Sequence, residues 1–174
     1  MDPRLHHVQG KAKHVNDVLA LLQEFHRDKL AMLLRHEAGA RLISQYDANN
    51  TYQYIINRDE THVSWLAKAI TELGGPIADE VPAPDRDGKG AGAAATVVRD
   101  DLRDAQAFVD RWRPRLDAMT NARHAKMLDV ILGETLEQKR FFEQALAGRT
   151  DLLGRRGEQL EPARGVVLPS RWIE

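Results

Sequence analysis

Four long stretches of helical periodicity, joined by a short, a long and a short connection, constrain this chain more than any other feature. The first runs from about residue 16, where Asn16 is a good N-cap, to about residue 45. Its apolar residues Val15, Val18, Leu19, Leu22, Phe25, Met32, Leu33, Ala40 and Ile43 recur at the spacing of one helical face. Asp47-Ala48-Asn49-Asn50 then reads as a turn. The second helix is expected over residues 50–73, with Ile55, Asp59, His62, Leu66, Ala69, Ile70 and Leu73 on its apolar face. Gly74-Gly75-Pro76 ends it. The third spans about residues 97–119 and carries Val98, Leu102, Ala105, Val109, Trp112 and Leu116, with Pro114 expected to kink or shorten it. After Thr120-Asn121 the fourth covers about residues 122–147, with Leu128, Ile131, Thr135, Gln138, Phe142 and Ala145 on its face and Gly148 behind it. Strand-like composition is confined to residues 166–168.

The connections set the expected topology. Helices joined by a few residues are antiparallel neighbours. The long connection, residues 75–96, holds Pro76, Pro82, Pro84, Gly88, Gly90 and Gly92 and has no apolar period. A helix of about 24 residues is about 36 Å long, and about twenty extended residues reach ~66 Å. The connection can therefore run the length of the bundle. The expectation is an all-α four-helix bundle over residues 1–148, made of two antiparallel hairpins and one crossover, followed by an irregular tail over 149–174.

Composition narrows the function classes. The chain has 174 residues, enough for one domain with a core and too few for two ordinary ones. Its net charge of −1 argues against general binding to nucleic acid or to an anionic membrane surface. It has no cysteine, which excludes disulfides, thiolate metal sites and a cysteine nucleophile. No apolar run approaches the ~18 residues of a membrane span, and the N-terminal residues lack the apolar core of a signal peptide. The expectation is a soluble cytoplasmic protein.

Asp59 and His62 are the sharpest chemical feature. They lie three residues apart on the apolar face of the second helix, where a carboxylate needs a partner. The segment Arg58-Asp59-Glu60-Thr61-His62-Val63-Ser64-Trp65-Leu66, ending at Gly74-Gly75-Pro76, resembles the second helix of ferritin-like proteins of the bacterioferritin and rubrerythrin type. The resemblance covers roughly residues 15–147. It implies a ferritin-like fold, a mid-bundle carboxylate and histidine site for iron or manganese, and a first-helix ligand about 35 residues before the motif, at Glu24. Periodicity instead puts His36 on the apolar face of the first helix, so Glu24 and His36 compete for that role.

On the fourth helix two frames compete. One uses Glu134 and Glu137, with Asp101 before them; the other uses Thr135 and Gln138, with Leu102. The apolar face favours the second, which leaves at most a partial half-site. Three functional readings stand at this point: a partial metal site built from Asp59 and His62 with some of His36, Glu24, Glu134 and Glu137; a degenerate, metal-free structural or stress-related module; or a helical partner-binding adaptor that uses the connection 75–96 and the tail. Leu19, Leu30 and Leu34, off the first helix's core stripe, call for cover by a second copy or by the tail. A homodimer is the expected assembly.

Overall fold

The computed structural model describes residues 3–77, 81–82, 86 and 92–154, with side chains from residue 15 onward. The tail residues 155–174, including the strand-like 166–168, lie outside the described residues. Four helices are present and, among the described residues, no strand: α1 (Pro3–Ala40), α2 (Tyr46–Glu72), α3 (Ala93–Asp117) and α4 (Ala122–Leu146). The architecture is an all-α bundle. No helix is long and apolar enough to cross a membrane.

The helix ends are set by local chemistry that periodicity alone misplaces. The turn between α1 and α2 falls at residues 41–45, earlier than the Asp47–Asn50 turn expected from composition. Gln45, not Asn50, caps α2: its side chain accepts from the Ala48 amide at 2.6 Å. Asn49 is buried and donates to the Ala40 and Ile43 carbonyls, so it closes the end of α1 from within α2. Gly74, at φ +77°, turns the chain out of α2, and the Gly75 amide returns to the Ile70 carbonyl at 3.0 Å. Pro114 removes one backbone donor from α3, and the helix ends one turn later. Asn121 caps α4 through the His124 amide.

Cross-helix pairs give the directions. Glu24 meets Arg115, Asp28 meets Trp112 and Arg35 meets Asp104, so α1 and α3 run antiparallel. Asp59 meets Gln138, His62 meets Glu134 and Glu72 meets Arg123, so α2 and α4 do too. The chain leaves α2 beside Gln23, whose side chain donates to the Pro76 carbonyl at 2.8 Å. It enters α3 beside Gly39, at the other end of the bundle. Leu19 and Leu30, read from sequence as needing cover, pack against the core of their own chain, and Leu34 is half-buried.

The core is split in two. One cluster, around Leu22, Phe25, Leu66, Trp112, Leu128 and Ile131, fills the end where α2 and α3 finish. The other, around Ala40, Tyr52, Ile55, Val97 and Phe142, fills the opposite end. Between them every helix contributes polar side chains to the interior: Lys29 and His36, Asp59 and His62, Asp101, Thr135 and Gln138. Burying polar groups in mid-core costs free energy unless each finds a partner, so this layer identifies itself as the place to look for function.

Gly39 fixes how closely α3 and the crossover approach α1. A Cβ there would stand 2.8 Å from Val97 Cγ1 and 2.9 Å from the Arg86 guanidinium. Gly39→Val should therefore lose about 1–3 kcal/mol in urea unfolding, overpacking outweighing the small gain in helix propensity.

Candidate functional site

Asp59 is the hub of the polar layer. It is fully buried, and both carboxylate oxygens are engaged. Oδ1 accepts from Lys29 Nζ at 2.7 Å and from Gln138 Nε2 at 2.7 Å. Oδ2 accepts from His36 Nδ1 at 2.7 Å. Burial by itself would raise the Asp59 carboxyl. The Lys29 ammonium and the His36 hydrogen bond outweigh it and hold Asp59 well below the usual carboxylate range. Asp59 is thus ionised, and His36 carries its proton on Nδ1.

Lys29 was not among the candidates from sequence, and it changes the meaning of the site. It is fully buried, with its ammonium also near Thr135 Oγ1 at 3.5 Å and Met32 Sδ at 3.4 Å. The signal was present: Lys29 lies seven residues after Leu22 and seven before His36, on one α1 stripe. A lysine at such a position reads as a solvated charge until its partner across the bundle is known.

His62 leans the other way. Its Nε2 donates to Glu134 Oε2 at 2.9 Å, and Glu134 is also gripped by Arg58 through two bonds of 2.8 and 2.5 Å. The Arg58 hydrogen bonds hold Glu134 below the usual carboxylate range. Burial, helped by the nearby Lys29 charge, pushes His62 down to about 4, so the ring is neutral at pH 7. Its Nδ1 stands 3.9 Å from Asp59 Oδ1 and, like Gln138 Oε1, has no hydrogen-bond partner among the described residues.

The expected ligands therefore divide. Asp59, His62 and His36 come together at mid-bundle, with Glu134 at the edge. Glu24 does not: it lies about 18 Å along α1 from His36. There Arg115, with Arg111, lowers its carboxyl to about 2. The 35-residue spacing that singled it out ignores its direction, which is toward the outer seam with α3. Glu137 is exposed and points away from the centre. On α4 the interior is filled by Thr135 and Gln138, at 0% and 2% exposure, and Gln138 is the residue that reaches Asp59. Asp101, the carboxylate of the other frame, is buried too. It accepts from the Tyr52 hydroxyl at 2.6 Å and pairs with Arg86 of the crossover.

This donor set does not fit a metal ion. Both Asp59 oxygens are already bonded to protein donors, and a divalent cation beside them would face the Lys29 ammonium in a low-dielectric interior. Asp59 with Lys29, and Glu134 with Arg58, already balance in charge. No group of three or more histidine, aspartate or glutamate side chains able to hold a metal occurs among the described residues. Comparison with protein-family models, with curated proteins and with solved structures returns no match, so the centre is interpreted from its own geometry.

Proposed function

We propose that this chain is a divergent ferritin-like bundle whose centre is held by a protein cation, and that it serves as a metal-free structural module. The single observation that supports this is Lys29 Nζ at 2.7 Å from the buried Asp59 carboxylate, where a metal-dependent bundle would place its ion. The ammonium supplies the positive charge that an interior carboxylate requires. Thr135 and Gln138 complete the layer with neutral hydrogen bonds instead of further ligands. The rival reading, a partial iron or manganese site, needs Asp59 to exchange Lys29 for the metal, and it loses Glu24 and Glu137 as ligands.

Metal analysis decides between the two. Protein purified without a histidine tag or chelator, then equilibrated with ferrous iron or manganese and desalted, should retain neither in stoichiometric amount. Retention of about one metal per chain, lost in Asp59→Ala, would overturn the proposal, because such a site binds through that carboxylate.

A further inference from the structure

A cleft of about 240 Å³ opens to solvent between α1 and α3. It exists because Ala31 and Ala107 stand where longer side chains would close the seam. Met32 and Phe108, both buried, give it an apolar floor. Its two ends are marked by ion pairs, Arg35 with Asp104 at 2.6 Å and Arg111 with Asp28 at 3.1 Å. Residues 28 and 35 are two helical turns apart, so the cleft is about 10 Å long.

His36 reaches this cleft from the core, although it is 1% exposed. Its Nδ1–H is committed to the Asp59 carboxylate, which fixes both the tautomer and the ring orientation. With Nδ1–H so committed, Nε2 is the ring nitrogen left to meet a hydroxyl or amine in the cleft. Beside it, Arg35 is half-exposed and uses Nη1 for Asp104, which leaves Nε and Nη2 to receive a carboxylate. An oriented ring nitrogen, a guanidinium edge and an apolar floor converge within one small concavity, the pattern expected of a ligand site.

We propose that the α1/α3 cleft binds a small carboxylic acid bearing a hydroxyl or amino group near the carboxylate and an apolar body. The carboxylate lies on Arg35, the donor on His36 Nε2, and the body over Met32 and Phe108. The Asp59 centre enters by orienting His36, so this proposal rests on the metal-free reading through that one hydrogen bond, and the metal analysis above tests that reading separately.

The test is a two-dimensional amide and imidazole NMR titration of the full chain with L-3-phenyllactate. Two controls each lack one group: 3-phenylpropionate the hydroxyl and 2-phenylethanol the carboxylate. Phenyllactate should give saturable shifts at amides of residues 31–36 and 104–108 and at the His36 ring nitrogens, with a dissociation constant of about 1 mM or tighter. Each control should bind about tenfold more weakly. Ala107→Leu, at an exposed helix position away from Asp59, should abolish the shifts while leaving the thermal midpoint in place. Arg35→Gln should weaken both acids and leave the alcohol unaffected. Equal responses to all three compounds, no saturable shift, or full binding in Ala107→Leu would each overturn the proposal.

Discussion

Lys29→Met should destabilise the bundle by about 3–5 kcal/mol, and adding Asp59→Leu to it should restore most of that loss. In the single variant Asp59 keeps His36 and Gln138 but loses the Lys29 ammonium while remaining fully buried. Asp59→Leu alone should cost a similar amount, because the buried Lys29 ammonium then keeps Met32 Sδ, Thr135 Oγ1 and the Phe108 ring but loses its bonded carboxylate. In the double variant neither ion remains, and both new side chains suit the flanking core. The residual loss falls on His36 and Gln138, each of which gives up one hydrogen bond, at about 1 kcal/mol apiece. Urea unfolding of the four proteins closes the cycle. Strictly additive losses would show that Lys29 and Asp59 are not coupled, and the protein-cation account of the centre would fail.

Acid should weaken the fold in a window that belongs to His62. Its folded pKa of about 4 lies below the ordinary histidine value of 6.5, with burial the main cause. The unfolded chain therefore binds a proton that the folded chain refuses between those two values. Stability that is complete above pH 6.5 is lost as pH falls toward 4, by about 3 kcal/mol. His26 and His124, also lowered by burial, act in the same direction. The carboxylates follow at lower pH: Asp59 and Glu134 are held below their usual range, so their contribution is present above about pH 4 and disappears below it. His62→Gln keeps a donor for Glu134 and removes the titration. Its stability should fall much less than the parent's between pH 6.5 and 4.5, the remaining slope coming from His26 and His124. Parallel pH profiles for the two proteins would mean that His62 is not the responsible group.

Much of the fold is written in local pattern. The period of Leu22, Phe25 and Met32 on α1, and of Ile55, Leu66 and Ile70 on α2, follows from 3.6 residues per turn and survives into the buried core. The same arithmetic put Asp59, His62 and His36 inward, and favoured Thr135 and Gln138 over Glu137. Helix ends were less legible. They depend on which polar side chain reaches a free backbone group, and Asn49 serves the end of the preceding helix, a role that composition assigns to a turn.

The sequence by itself determined four amphipathic helices, the stripe each one buries, and the presence of an acid and two histidines at mid-height. Tertiary structure alone decided what those residues do. Periodicity ranks positions on one helix, but the sign and distance of a charge on the opposite helix appear only when the helices are packed. Lys29 lies thirty residues before Asp59 in sequence and 2.7 Å from it in space. Glu24, at a spacing that suggested a ligand, packs instead against Arg111 and Arg115 on another face. Coulomb energy and desolvation depend on that three-dimensional separation, so the ammonium beside Asp59 becomes visible only once the helices are packed.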